Sequence, residues 1–145
     1  MRRVIQEDST GCGLACVAML AGRSYQAVKK QAHSVLKTWP RGPRSFYTTK
    51  SHLKALLAEY GVRHGNYRKA DSWEKLNADL AIVAINLQAN DNWHWVVFRR
   101  DGSDRYLLDP RAKSERRIDF WRARIMAYLP IRTNDVAKLK TRISK

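Results

Sequence analysis

Long apolar runs are absent from this chain of 145 residues. The two longest, residues 14–21 and 80–87, fall far short of the roughly 20 residues that a helix needs to cross a membrane. The opening Met-Arg-Arg is followed by Val-Ile and then by polar residues, so no apolar signal-peptide core is recognisable. We therefore expect neither a membrane span nor a secretion signal. The length and the 44% hydrophobic content predict one domain with a single core.

Cysteine is also scarce, and Cys12 and Cys16 are the only two. Placed four residues apart on one helix, they would not close a stable disulfide, because the helix fixes their geometry. Reduced thiols in a cytoplasmic compartment are the better interpretation. A metal site that joins them to His33, His52 or His64 is disfavoured, since the chain has no Cys-x-x-Cys motif and no close histidine pair. We expect no metal and no other cofactor.

Acidic residues are few, with 13 against 28 lysines and arginines, which gives a net charge of +15. The excess lies at the two ends of the chain. Residues 1–50 hold nine basic and two acidic side chains, and residues 101–145 hold twelve and six. Such a charge favours an acidic partner, such as nucleic acid, an anionic lipid surface or an acidic peptide. A merely solvated basic surface explains it equally well.

The stretch from residue 6 to residue 22 runs from polar, turn-forming residues into an apolar segment. Ser9 and Thr10 can cap a helix, the glycines beside Cys12 permit a tight turn, and Gly22 is typical of a helix end. Cys12 is therefore predicted in the first turn of a buried helix, where unpaired N–H groups and the helix dipole favour a thiolate. That is the environment of a nucleophile, although a buried cysteine is also common as a small apolar residue.

A nucleophilic thiol needs a general base and a group that orients the base. His94 lies in one predicted strand and Asp109 ends the next, and the polar turn between these strands predicts a hairpin. Gln6 supplies a neutral amide donor that can reach an oxyanion. The candidate roles are Cys12 as nucleophile, His94 as base and acid, Asp109 as orienting residue and Gln6 as oxyanion donor. A core histidine, a turn-capping Asp-Pro and a surface glutamine are the structural alternatives.

Helices come first along the chain and antiparallel strands second, which predicts an α+β fold. Besides the Cys12 helix, the pattern predicts helices over residues 25–36 with Ser24 as cap, from 49 or 51 to 60, and from 72 to 80 behind a capping box, with a helical turn at 118–121. The predicted strands cover residues 62–67, 81–87, 93–100, 105–109 and 125–131, the last closed by Pro130 as an edge or end signal. Residues 37–49 read as a surface loop, and we place one domain at 1–131 with a basic tail at 132–145.

A family resemblance rests on three motifs: Gln6-x-Asp8-x-x-x-Cys12-Gly13-x-x-Cys16, His94-x-Val96-Val97 and Leu108-Asp109-Pro110. Together they resemble the papain-like cysteine peptidases that remove double-glycine leader peptides from bacteriocin precursors, over residues 6 to about 130. The resemblance implies a papain-like fold, with N-terminal helices packed on a C-terminal antiparallel sheet, and cleavage after a small residue. Such domains usually precede an ABC exporter. No transporter domain follows here, and Gly11 stands where family members more often have an acidic residue.

We therefore expect a cysteine peptidase that acts on a peptide or protein substrate. As a free-standing domain, it would work with a separate ABC exporter, or as a toxin or effector that cleaves another protein. Deamidation and transpeptidation use the same triad and remain open. The alternative function is a peptidase-like module that binds leader peptides or nucleic acid without cleaving them. The presence of both Cys12 and His94 favours the enzyme.

Overall fold

A computed structural model describes residues 1–36, 48–87, 92–111, 113 and 115–136 of the chain. Three helices come first: α1 (Cys12–Ala21), α2 (Tyr25–Val35) and α3 (Lys50–Glu59). Five strands follow: β1 (Arg68–Lys69), β2 (Leu80–Ile85), β3 (His94–Asp101), β4 (Asp104–Leu108) and β5 (Ile125–Pro130). Single 3-10 turns occupy Trp73–Lys75 and Thr133–Asp135. The order of elements confirms the predicted α+β fold.

The five strands form one antiparallel sheet in the order β1-β5-β2-β3-β4. All six residues of β2 are buried, as expected of a central strand that is covered on both faces. The strand ends at Ile85, two residues before the predicted end, because Asn86 has φ +56° and leaves the extended conformation. The backbone and side chain of Asn86 bond instead to Arg124, at 2.8 and 2.9 Å.

The helices cover one face of the sheet, and α1 packs directly against β3. The opposite face carries no helix within the described residues. It is covered by a second apolar cluster, in which Trp73 and Phe120 from the connecting segments lie over Val83, Val96 and other strand residues. The two layers bring the first turn of α1 to the end of the sheet at which β3 begins.

Local capping explains two of the helix starts. The Ser24 hydroxyl accepts a hydrogen bond from Ala27 N at 3.1 Å and caps α2, as predicted. At α3, Thr49 Oγ1 accepts from His52 N while His52 Nδ1 accepts from Thr49 N, both at 3.2 Å, which is a reciprocal capping box. The caps of both helices depend on short-range contacts, so they could be predicted from the sequence.

The predicted caps of α1 were wrong. Gly11 is the residue before the first helical turn, and no side chain caps it. Ser9 and Thr10 lie in the preceding turn, where Gly11 N bonds to Asp8 O at 3.1 Å. The other end was predicted correctly, since Gly22 adopts φ +66° and its N–H bonds to Ala18 O.

Three further local predictions were wrong. Residues 62–67 form no strand; only an isolated bridge joins His64 to Ile131, and pairing with β5 begins at Arg68. The predicted helix at 72–80 is a single 3-10 turn without a side-chain cap, because Trp73 is anchored to Ala123 O at 2.8 Å and Leu80 already pairs in the sheet. Residues 118–121 contain no helical turn, since Arg117 bridges to β4 and the chain turns only at 120–123.

Pro130 ends β5 but does not mark a sheet edge, because β5 lies between β1 and β2. The predicted loop at 37–49 falls outside the described residues except for Thr48 and Thr49. Residues 88–92 are polar and also predict a turn, and of these only Asn92 is described. The basic tail lies outside the described residues from residue 137 onward. The proposed boundary after residue 131 stays a prediction.

Candidate active site

Cys12 is the first residue of α1, and the backbone around it is closely packed. A Cβ atom at Gly11 would overlap the Tyr25 hydroxyl, and one at Gly13 would overlap the Thr48 side chain, so a larger residue at either position would force its neighbour to move. The backbone N–H of Trp95 donates to Cys12 Sγ at 3.4 Å. Because Trp95 directly follows His94, this contact fixes the sulfur beside the residue that was predicted to act as its base.

His94 and Asp109 come together across the β3–β4 hairpin. His94 begins β3, and Asp109 directly follows the last residue of β4, where Leu108 pairs with Val97. His94 Nε2 lies 2.7 Å from Asp109 Oδ1. The carboxylate accepts a hydrogen bond, so Nε2 carries the proton. The side chains of His94 and Asp109 are only 13% and 7% exposed.

The other ring nitrogen of His94, Nδ1, is buried and forms no hydrogen bond with any of the described residues. The Cys12 side chain lies near enough to this imidazole to help raise its pKa. Nδ1 is therefore the nitrogen that is free to exchange a proton with the sulfur. Three predicted site residues from three separate elements, Cys12, His94 and Asp109, are thus brought together.

Burial alone would lower the pKa of His94, but the hydrogen bond and charge of Asp109, together with the Cys12 side chain, outweigh it and raise this pKa to about 9. For Asp109 the direction is the opposite, since burial alone would raise the pKa of this carboxyl group. The bonds that its carboxylate accepts from His94, the Arg111 backbone and Arg117 instead hold this pKa at about 2. The pair therefore favours an imidazolium beside a carboxylate at neutral pH.

Three arginines that the sequence did not single out contact Asp109. Arg111 N donates to Oδ1 at 2.9 Å, and Arg117 Nη1 donates to Oδ2 at 2.9 Å. Arg3 Nη1 reaches the backbone oxygen of Asp109 at 3.3 Å. No sequence motif marks these contacts, because they depend on the path of the chain after β4.

These shifts predict how stability depends on pH. The raised pKa of His94 stabilises the fold below about pH 6.5 and loses its effect as the pH rises from 6.5 to about 9. The lowered pKa of Asp109 stabilises the fold above 3.8 and loses its effect as the pH falls from 3.8 to about 2. Urea unfolding should show wild type exceeding Asp109→Asn by on the order of 2 kcal/mol near pH 5, and by less at pH 9.5. A difference that stays constant over this range would contradict the assignment.

Gln6, the predicted oxyanion donor, anchors the approach to Cys12. Its Nε2 donates to Asp8 O at 2.8 Å and to Ser9 O at 3.1 Å, and its backbone N donates to Pro110 O at 3.2 Å. Gln6 thus joins the turn before α1 to the segment that carries Asp109. Its donor group is occupied by these two carbonyls, and its role toward an oxyanion stays a prediction.

Asp8 ties the same turn to α2. Tyr25 Oη donates to Asp8 Oδ2 at 2.6 Å, and Lys29 Nζ lies 3.1 Å from the same oxygen. Partial burial would raise the pKa of Asp8, but the bonds from Tyr25 and Lys29 lower it. The Tyr25 ring also fills the space in which a side chain at Gly11 would lie. The family resemblance included Asp8 without assigning it a role, and the structure shows that it positions the turn.

Both cysteines are free thiols, but their surroundings differ. Cys16 is 0% exposed, and burial, with added repulsion from Cys12 and Asp109, raises its pKa well above the usual value. Cys12 is 4% exposed and contacts the imidazole. Cys16 therefore packs in the core, as a small apolar residue would.

Iodoacetamide should therefore alkylate Cys12 much faster than Cys16 in the native protein, because only Cys12 is paired with a base and Cys16 is held as a buried, neutral thiol. Peptide mass spectrometry after timed quenching measures both rates, and the urea-unfolded protein is the control in which the two should converge. Equal rates in the native state would count heavily against an activated Cys12.

The described residues contain no cluster of three His, Cys, Asp or Glu side chains that could hold a metal ion. His52 caps α3 and His64 contacts the backbone oxygen of Gly65, whereas His33 is exposed on α2. Across the described part of the chain, no helix is long and apolar enough to cross a membrane.

A thiol at the start of a helix, facing an imidazole–carboxylate pair on an antiparallel sheet, is the arrangement of papain-like cysteine peptidases. Comparison with known proteins supports this class. The chain belongs to the Peptidase C39 family, whose model matches residues 1–120.

Among solved structures, the chain resembles a double-glycine motif protease from an AMS/PCAT transporter in complex with its leader peptide. The TM-score is 0.61 at 20% identity, over 90% of this chain and 91% of that one, and it confirms the papain-like fold. The Pseudomonas avirulence protein AvrPphB is also similar, with a TM-score of 0.45 at 13% identity, over 99% of this chain and 86% of that one. None of the curated proteins matches the chain.

Proposed function

We propose that this protein is a cysteine peptidase that cleaves polypeptides after small residues at double-glycine-like sites, with Cys12, His94 and Asp109 as its catalytic triad. The observation that carries the proposal is the meeting of these three side chains, with Trp95 N at 3.4 Å from the sulfur and Nε2 at 2.7 Å from the carboxylate. Membership of the Peptidase C39 family supports the peptidase class independently.

In the proposed acylation step, the proton of Cys12 has already passed to Nδ1 of His94, and Sγ attacks the scissile carbonyl carbon as a thiolate. Asp109 stabilises the resulting imidazolium through Nε2 and keeps the ring in place. The imidazolium then protonates the leaving amine, the C–N bond breaks, and a thioester to Cys12 remains. Water, deprotonated by the same Nδ1, attacks the thioester and releases the carboxylic acid and the thiol.

The start of α1 supplies donors for the oxyanion of each tetrahedral intermediate. The first bond within the helix runs from Ala15 N to Gly11 O, so the N–H of Cys12 precedes the helical ladder. We assign the second donor to the Gln6 amide, which must exchange one of its two carbonyl partners for the oxyanion.

Gln6→Ala should lower kcat by about 10²-fold, since one oxyanion donor is worth 10²–10³ in comparable sites. Gln26→Ala is the matched control, because Gln26 is exposed and its amide donates to Glu7 Oε1 at 2.9 Å, away from Cys12. Thermal melts separate a local loosening of the turn from the loss of a donor. A Gln6→Ala enzyme with wild-type kcat would remove Gln6 from the mechanism.

The preference for a small residue before the cleaved bond rests on the family resemblance, and the similar transporter protease was solved with a leader peptide. We place the protein in a reducing, cytoplasmic setting, where it processes leader peptides beside a separate ABC exporter. Cleavage of another protein by a toxin or effector uses the same chemistry, and the identity of the substrate separates the two roles.

Peptide-library cleavage profiling tests the proposal most broadly. Wild type should release new termini after Gly or Ala, preferably in Gly-Gly or Gly-Ala pairs, whereas Cys12→Ala should release none. Deamidated or ligated products in place of cleaved ones would assign the triad to a different reaction. A library that stays unchanged under conditions in which Cys12 is alkylated rapidly would overturn the peptidase assignment.

A further inference from the structure

The carboxylate of Asp109 is shared between two cations. Oδ1 accepts from His94 Nε2 at 2.7 Å and from Arg111 N at 2.9 Å, whereas Oδ2 accepts from Arg117 Nη1 at 2.9 Å. The two oxygens of a carboxylate are held in one plane, so a donor at Oδ2 fixes the direction in which Oδ1 points. The guanidinium thus acts on the imidazole through the group that lies between them.

Arg117 is held in this position by the backbone. Its N–H donates to Leu107 O, and its own carbonyl accepts from Leu107 N, both at 2.8 Å, on the side of β4 away from β3. This isolated bridge holds Arg117, which lies ten positions after Leu107 in the chain, beside β4, the strand that ends next to Asp109. The side chain of Arg117 is 31% exposed and that of Asp109 is 7% exposed, so the pair is only partly screened by water.

We propose that Arg117 is a positioning residue of the Cys12–His94–Asp109 site, which fixes the Asp109 carboxylate and offsets part of its charge, and so sets the pH range over which His94 holds its proton. The inference rests on the proposed function only for its effect on catalysis. A guanidinium stays charged at every pH of interest, so its effect on the pair is constant.

The direction in which the titration midpoint of His94 shifts depends also on the other charged or titratable groups around the His94–Asp109 pair. Cys12 from α1 acts directly on His94, whereas burial and the Asp109 carboxylate raise the pKa of the Cys16 thiol, which therefore stays neutral and adds no charge at the pair. Arg111 contributes a backbone N–H to Asp109 and directs its own guanidinium to Ser9 O at 2.6 Å, while Arg3 reaches the Asp109 carbonyl. Removing the charge of Arg117 leaves these contacts and makes Asp109 a stronger partner for the imidazolium.

Arg117→Met keeps most of the length of the side chain and removes its charge. We expect the titration midpoint of His94 to rise by about one pH unit, the lower end of the effect of a charge at 4–6 Å, because Arg117 is partly exposed. The midpoint is read from the imidazole signals in ¹H–¹⁵N spectra, with the His94 signals assigned by their loss in His94→Gln. Arg117→Lys keeps a cation and should shift the midpoint by less than half as much.

Arg116→Met is the matched control. Arg116 is the preceding residue, is exposed, and places its guanidinium carbon 4.4 Å from the centre of the Tyr106 ring. The Arg116→Met substitution changes the net charge by the same amount as Arg117→Met and should leave the titration midpoint of His94 unchanged. The alkaline limb of the pH profile of kcat/KM should move to higher pH in Arg117→Met and remain in place in Arg116→Met.

An unchanged or lowered midpoint in Arg117→Met would overturn the proposal. An equal shift in Arg116→Met would also overturn it, because the shift would then follow from net charge. An equal shift in Arg117→Lys would overturn it as well, because the shift would then follow from the loss of the guanidinium and not from the loss of a cation. The titration needs no substrate. A shift seen in a protein that cleaves no peptide would therefore uphold the role of Arg117 and reject the peptidase assignment.

Discussion

Cys12→Ala is expected to abolish peptide cleavage, with kcat/KM falling by about 10⁵-fold or more, as when the nucleophile of a catalytic triad is removed. The sulfur forms the bond to the acyl group, and no neighbouring side chain can replace it, because Cys16 is fully buried one helical turn away. The fold should survive, since alanine fits the space of the thiol and retains the helix start. Steady-state cleavage of the best peptide from the library, together with circular dichroism, measures both effects.

Cys16→Ala provides the control for this variant. It makes the same chemical change on the same helix, in a side chain that is 0% exposed. We expect a small loss of stability from the vacated volume, about 1 kcal/mol, and cleavage close to that of wild type. Full loss of cleavage in both variants would point to damage of α1, and residual cleavage by Cys12→Ala would remove this residue from the role of nucleophile.

His94→Ala should lower kcat/KM by about 10⁴-fold, because one imidazole serves as the base for the thiol and as the acid for the leaving amine. The variant should also slow the alkylation of Cys12 near neutral pH, since the sulfur loses its proton acceptor. That second measurement needs no substrate and reports on the Cys12–His94 contact alone.

Asp109→Asn should cost less than either substitution if Asp109 only orients the ring. The asparagine retains one oxygen that can accept from Nε2, although Arg117 then competes for it. The three variants are compared by kcat/KM and by the alkylation rate of Cys12. The assigned roles would be wrong if His94→Ala alkylated at the wild-type rate, or if Asp109→Asn were as inactive as Cys12→Ala.

The parts of the fold that follow from short-range chemistry could be predicted from the sequence. Ser24 and Thr49 cap their helices through contacts within three residues, and the turn at Gly102, with φ +64°, closes the β3–β4 hairpin. Residues on either side of a strand residue share one face, and the indoles of Trp93 and Trp95, which flank His94, do meet, with ring centres 5.6 Å apart.

Elsewhere the structure departs from the sequence predictions because of long-range contacts. Trp73 begins a single 3-10 turn because its indole is tied to Ala123, fifty residues away. Arg117 was missed for the same reason, since its place beside Asp109 depends on backbone bonds to Leu107. The oxyanion role of Gln6 stays a prediction, and the position of this residue before Cys12 gave no sign that its amide bonds to two nearby carbonyls.

In the proposed mechanism, the Cys12 sulfur attacks a peptide carbonyl with help from His94. Treatment of the native protein with a Gly-Gly chloromethyl ketone, followed by peptide mass spectrometry, tests it most directly. We predict a single adduct on Cys12, formed at the same rate in Cys16→Ala, much more slowly in His94→Ala and not at all in Cys12→Ala. An adduct on Cys16, or no adduct in a protein that still cleaves peptides, would contradict the account.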